Sequence, residues 1–202
     1  MKKIFIACDT QDPKIVKKII GETKTKKLNI GYKFGLEFFN SRKGRSFISK
    51  LNKKTSVWVD LKLMDIPNTI SSSIESLRDL KNLRYLTVHA SGGEEMLKSA
   101  KFSAKKINKK LKVLAVTVLT SFSERSLKKI GYTKSIKQIV IKQAKLAKAV
   151  GLDGIVCSGH EVKFIKKICK KMEIVTPGIR MSSDKSNDQK RIMTPNLAFK
   201  NG

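Results

Sequence analysis

Acid is scarce in this chain. Sixteen aspartates and glutamates face 44 lysines and arginines, for a formal net charge of +28. An excess of that size draws in polyanions at low salt. A dedicated nucleic-acid surface would also need a localised basic stripe or an aromatic stacking platform. Aromatic residues make up only 6% of the chain, with one Trp and three Tyr. The lysines recur in nearly every expected helix, as at Lys17, Lys18, Lys98, Lys142, Lys163 and Lys166, rather than in one arm. No specific nucleic-acid partner is therefore expected. The charge reads as solvated helix faces, with at most a modest pull on a phosphorylated small molecule.

Long apolar runs are also missing. None approaches the ~20 residues that span a bilayer, so no membrane partner is expected. The N-terminal run Ile4–Cys8 is only five residues long and meets Asp9, too short for a secretory signal. Cysteine is limited to Cys8, Cys157 and Cys169, an odd number with no Cys-x-x-Cys pair. That excludes a disulfide framework and gives no zinc-ligand spacing. Cys8 and Cys157 sit in apolar runs and should pack as small hydrophobes. The cytoplasm is the expected compartment. No glycine-rich turn follows the first strand, where the chain reads Asp9-Thr10-Gln11-Asp12-Pro13. A Rossmann-type fingerprint is thereby missing, and no Walker-type loop occurs.

What is present is a regular alternation of strand and helix patterns. Strands are expected at Lys3–Cys8, Leu28–Phe34, Ser56–Lys62, Arg84–His89, Leu111–Leu119, Gly154–Cys157 and Glu173–Thr176. Between them lie an Asp12-capped helix ending near Gly21 and a helical stretch to about Asn52, interrupted at Ser41–Arg45. Further helices are expected at Pro67–Leu80, Gly92–Ile107, Ser123–Lys129, Ser135–Val150 and His160–Lys171. A polar loop, Ile179–Met193, precedes a last helical turn at Pro195–Lys200. Repeated βα units imply a parallel sheet covered by helices. Asp9, Lys33, Asp60, Lys62, His89, Thr120, Ser158 and Arg180 all fall at strand ends that lead into βα-loops. A TIM-type barrel carries its active site there. The fold class is thus α/β, a single (β/α) barrel domain over residues 1–202. At 202 residues the chain is short for a closed barrel of ~250.

The densest chemistry lies in Val57-Trp58-Val59-Asp60-Leu61-Lys62-Leu63-Met64-Asp65-Ile66-Pro67-Asn68-Thr69. Its first half alternates, which places Asp60 and Lys62 on the side opposite the valines. Buried charges at a strand end are costly outside a polar cleft. Pro67 cannot continue a ladder but suits a first helical turn. The spacing Asp-x-Lys-x-x-Asp-Ile-Pro-x-Thr resembles the signature of the orotidine 5′-phosphate decarboxylase family. Lys33 before Gly35, Thr176-Pro177-Gly178-Ile179-Arg180, and Asp188-Gln189-x-Arg191 before Thr194-Pro195 are similar to further family motifs.

That resemblance implies loss of CO₂ from orotidine 5′-phosphate to give UMP, with no metal and no organic cofactor. Lys62 would protonate the C6 carbanion, within an array of Lys33, Asp60, Lys62 and Asp65. Asp9, Lys33, Asp60, Thr69, Thr120, Pro177, Arg180 and Gln189 would bind substrate. It also implies a homodimer in which Asp65 reaches the neighbouring site. In the family an eighth strand ending in Gly-Arg follows Asn-Gly, and this sequence stops at Asn201-Gly202. The barrel is therefore expected to be incomplete at its C-terminus, lacking the last βα unit, its phosphate grip and full closure. Two other readings compete. Sister magnesium-dependent decarboxylases and aldolases of sugar phosphates share Asp-x-Lys-x-x-Asp on the same barrel but lack the following Ile-Pro-x-Thr. A basic nucleic-acid-binding domain is the non-enzymatic alternative. His89 is expected to be a structural hydrogen-bonder and His160 a solvated residue.

Overall fold

The computed structural model describes residues 3–181 and 192–202. Its strands are β1 (Lys3–Ala7), β2 (Asn29–Gly35), β3 (Ser56–Leu63), β4 (Leu83–His89), β5 (Lys112–Val116), β6 (Gly154–Val156) and β7 (Glu173–Val175). They pair in chain order, every neighbour parallel, with β1 and β7 at the two edges. The helices are α1 (Pro13–Glu22), α2 (Leu36–Asn40), α3 (Gly44–Lys50), α4 (Pro67–Glu75), α5 (Gly93–Ile107), α6 (Glu124–Lys129), α7 (Ile136–Val150), α8 (Val162–Ile168) and α9 (Pro195–Asn201). Among the described residues this is a (β/α) barrel architecture with seven strands.

The sheet is curled. In a flat sheet β1 and β4, three strands apart, would lie about 14 Å from each other. The Phe5 ring on β1 instead lies 5.1 Å from Trp58 on β3 and 5.0 Å from Tyr85 on β4. The ring crosses β2 at Gly31, where a Cβ would meet it at 2.5 Å, so only glycine lets β1 and β4 close over that strand. Lower down, Lys112 on β5 pairs with Glu173 on β7, and Lys3 Nζ on β1 donates to Ser56 Oγ on β3 at 3.2 Å.

Strand alternation then sorts the side chains into two cores. The inner face packs Trp58, Tyr85, Leu114, Val116 and Val156 with Phe5, Leu119 and Val175. The outer face packs Val57, Val59, Leu86, Val88, Val113 and Ile155 against the helices through Ile70, Ile74, Met96, Leu97, Val140 and Ala144. The central strands β4 and β5 are buried on both faces, whereas the edge strands β1 and β7 are only half-buried.

The helix boundaries follow local chemistry. Asp12 caps α1, accepting from the Lys14 N–H at 2.8 Å, with Pro13 in the first turn. Ser123 and Ser135 form capping boxes with Ser126 and Gln138. α1 runs one residue beyond Gly21 because Thr23 Oγ1 donates to the Ile19 carbonyl at 2.6 Å and supplies the stop. The expected helix from Pro67 becomes 3₁₀ at Ser76–Asp79. The strand expected to reach Leu119 ends at Val116, and Thr117 then donates both N–H and Oγ1 to the Val156 carbonyl. The helix expected over His160–Lys171 shortens to Val162–Ile168, because the buried Glu161 carboxylate accepts from the Ser158 N–H at 2.9 Å and holds the preceding turn.

Candidate active site

The C-terminal ends of β1, β2 and β3 bring together a row of alternating charges. Lys33 Nζ lies 3.2 Å from Asp9 Oδ1 and 3.6 Å from Asp60 Oδ2. Lys62 Nζ lies 2.9 Å from the same Asp60 oxygen. The sequence Asp9, Lys33, Asp60, Lys62 is therefore also a spatial sequence. Asp60 is its buried member, 6% exposed. A carboxylate that far from water requires partners, and two ammonium groups provide them. Asp9 stands at the solvated rim, with 62% of its side chain exposed.

Simple alternation does not produce this geometry. Between Val59 and Leu63, β3 advances four residues while its partner β4 advances only two, from Leu86 to Val88. This is a bulge, and Lys62 sits in it with φ of 50°. Left-handed backbone at a non-glycine residue costs roughly 1–3 kcal/mol and collects at functional sites. The extra residues turn the Lys62 side chain back over Asp60. Thr87 on β4 closes the gap in the ladder. Its Oγ1 accepts from the Lys62 N–H at 3.0 Å and donates to Asp60 Oδ1 at 2.7 Å.

His89 ends β4 two residues after Thr87, on the same strand face. Burial lowers the imidazole pKa below its ordinary value, the neighbouring Lys62 lowers it further, and Asp60 opposes the shift. His89 therefore shares the electrostatics of the charged row. His160 is exposed, as expected.

The remaining expected residues lie around this centre. Asp65 is exposed in the loop after β3, and its Oδ1 accepts from the Ile66 N–H at 2.7 Å. It makes no ion pair with Lys33 or Lys62 of its own chain. Thr69 is exposed in the first turn of α4. Thr120, 8% exposed, lies beyond the end of β5. Pro177 and Arg180 are half-buried in the chain after β7. The Arg180 N–H donates to the Met193 carbonyl at 3.0 Å, and Met193 N–H to the Gly178 carbonyl at 3.1 Å. Those bonds fix residues 178–180 beside Met193. Arg180 Nη1 donates to the Ile179 carbonyl at 2.9 Å and does not join the charged row. Gln189 lies outside the described residues, as do Asp188 and Arg191.

Two features escaped sequence reasoning. One is Thr87; its signal was a short hydroxyl side chain at the inward parity of β4, between Tyr85 and His89. The other is the left-handed backbone at Lys62, for which lysine gives no signal. The lysine excess also has a geography. The exposed pairs Lys26-Lys27, Lys53-Lys54, Lys109-Lys110 and Lys170-Lys171 fall in loops that lead into strands. They stand at the opposite end of the sheet from Asp60 and Lys62, so these eight charges are not focused on the mouth.

A curled parallel sheet with a row of alternating charges at its C-terminal strand ends defines a barrel protein of the enzymatic type. Residues 2–202 match the orotidine 5′-phosphate decarboxylase / HUMPS family, and the chain belongs to that family. It is 37% identical over 204 residues to the orotidine 5′-phosphate decarboxylase of Idiomarina loihiensis, covering all of this chain and 87% of that protein. It is 46% identical over 168 residues to the enzyme of the same name from Buchnera aphidicola subsp. Schizaphis graminum, covering 82% of this chain and 70% of the relative. The crystal structure of orotidine 5′-phosphate decarboxylase from Lactobacillus acidophilus superposes with a TM-score of 0.85 at 32% identity, over 100% of this chain and 87% of that one. The orotidine 5′-monophosphate decarboxylase of Methanocaldococcus jannaschii, complexed with the inhibitor BMP, superposes with a TM-score of 0.72 at 27% identity, over 93% and 83%.

Proposed function

We propose that this protein decarboxylates orotidine 5′-phosphate to UMP, a step of pyrimidine biosynthesis, without a metal or organic cofactor. The observation that carries the reading is the Asp9–Lys33–Asp60–Lys62 row on a chain whose relatives bear that enzyme's name. The chemical obstacle is an electron pair left at C6 of the pyrimidine when CO₂ departs. Only interactions stronger in the transition state than in the ground state lower that barrier. Asp60 faces the substrate carboxylate. Two like charges ~4 Å apart repel by ~4 kcal/mol at an effective dielectric of 20, and that repulsion disappears as CO₂ forms. Lys62 is attracted to the charge developing at C6. The C6–carboxyl bond breaks, its electron pair stays on C6, and a proton from Lys62 Nζ forms the C6–H bond. Lys33 holds Asp60 and Asp9 in place.

The rest of the site follows from the family. Asp9, Thr69, Thr120, Pro177, Arg180 and Gln189 bind the ribose, base and phosphate. Asp65 serves the neighbouring site in a homodimer. The exposure of Asp65, with Met64 and Ile66 on either side exposed at 58% and 67%, supports this. Residues 1–202 act as one barrel domain. A cytoplasmic location is supported by three buried cysteines that form no disulfide and by membership of a family of metabolic enzymes. Among the described residues no helix is long and apolar enough to cross a membrane.

The test is turnover of orotidine 5′-phosphate by purified protein, followed as loss of the orotate chromophore, with and without EDTA. Equal rates in both support the reading. Turnover abolished by EDTA and restored by magnesium overturns the cofactor-free mechanism. Absence of any turnover overturns it.

A further inference from the structure

Asp60 and Lys62 are held by a closed ring of hydrogen bonds that runs through a residue outside the charged row. Starting at the Lys62 backbone, its N–H donates to Thr87 Oγ1 at 3.0 Å. The single hydroxyl hydrogen is then left for Asp60 Oδ1, 2.7 Å away. The other Asp60 oxygen accepts from Lys62 Nζ at 2.9 Å. The ring begins and ends on Lys62. Thr87 itself is fully buried, so no water can take over either bond.

We infer that Thr87 is a positioning residue for the decarboxylation, setting the proton donor and its carboxylate partner through one hydroxyl. The inference rests on the function proposed above. Its physical basis is the bulge in β3. Where four residues of β3 oppose two of β4, the ladder cannot offer the Lys62 N–H a carbonyl. A buried, unpaired N–H is costly, and the Thr87 hydroxyl removes that cost. The same hydroxyl occupies Asp60 Oδ1, which leaves Oδ2 to face Lys33 and Lys62. Lys62 thus keeps its left-handed backbone because Thr87 satisfies it there. Val88 and Leu86 face the outer core, and Tyr85 lies deeper in the barrel against Phe5.

The test compares Thr87→Val, which keeps shape and strand preference but removes the hydroxyl, with Thr87→Ser, which keeps it. In Thr87→Val we expect kcat to fall by roughly 10- to 100-fold with KM little changed, the scale set by misplacing a reacting group by ~1 Å. Thr87→Ser should return kcat to near the wild-type value, which a purely steric role for the threonine methyl would not do. A wild-type kcat in Thr87→Val overturns the inference. So does a serine variant as slow as the valine one. A second measurement needs neither substrate nor turnover. Hydrogen exchange at the Lys62 amide should be slow in the wild type and in Thr87→Ser, and faster in Thr87→Val. Unprotected exchange at Lys62 in the wild type overturns the bridge even if the valine variant does not fold. If the wild-type protein fails to turn over orotidine 5′-phosphate, the proposed function falls. The exchange rates still decide the bridge.

Discussion

Lys62 Nζ and Asp60 Oδ2 stand 2.9 Å apart across a break in strand alternation. The two residues share a strand, yet they meet because Lys62 adopts φ of 50°. Backbone strain has been traded here for the convergence of opposite charges. The following outcomes are expected from that arrangement and its surroundings.

Lys62→Ala should abolish decarboxylation, a loss of at least ~10²–10⁴-fold for removal of the proton donor alone. UMP should still bind, because Asp9 and Lys33 remain. Lys62→Gly should be equally inactive but more stable than Lys62→Ala, by about 1 kcal/mol, since glycine enters the left-handed region without a Cβ penalty. In an ordinary strand the order would be reversed. Urea denaturation of the two variants and a UMP titration check both statements. Retained turnover in Lys62→Ala would overturn the proton-donor assignment.

Complementation between subunits tests the proposed role of Asp65. Lys62→Ala and Asp65→Ala should each be severely impaired alone. In a symmetric dimer each site takes Lys62 from one protomer and Asp65 from the other. Co-expression should then yield mixed dimers in which one of the two sites is intact. About a quarter of all sites, and of wild-type activity, should return on random mixing. No recovery in mixed dimers isolated by two different tags would place Asp65 outside the partner's site.

Stability should depend on His89 in mildly acidic solution. Its imidazole has a lowered pKa in the folded protein, caused by burial and by Lys62. The unfolded chain titrates near the ordinary value of ~6.5. The unfolded state therefore binds the proton more readily, and stability is fully present above that value. It declines as pH falls through it toward the lower folded value. His89→Gln should flatten this part of the profile. Thermal unfolding of both proteins between about pH 8 and pH 5.5 makes the comparison. Parallel profiles would show that His89 does not contribute.

The cysteines should be silent in the native state. Cys8, Cys157 and Cys169 form no disulfide and are 0%, 2% and 1% exposed. Burial, with Asp9 beside it, pushes the Cys8 thiol up to about 12, and burial also raises Cys169. Only the thiolate reacts readily. A thiol-reactive dye should label none of the three quickly in native buffer, and all of them in denaturant. Rapid native labelling of Cys8 would contradict the packing at the end of β1.

The sequence by itself determined the alternation of strands and helices, because periodicity records which side of each element avoids water. It also determined the identity of the charged row. Aspartates and lysines at strand ends are visible as residue types, and the Asp60–Thr69 spacing carries the family. The Asp12 cap was legible for the same reason, since capping depends on neighbours in the chain. Tertiary structure alone decided how that row is held. The bulge in β3 arises from pairing with β4, a strand twenty residues away, and local sequence has no access to that register. The role of Thr87 followed from that pairing, because a hydroxyl becomes a bridge only when two groups from another strand are brought to it. The curl of the sheet over Gly31 was likewise decided in three dimensions, where Phe5 reaches Tyr85 across a strand that had to have no side chain.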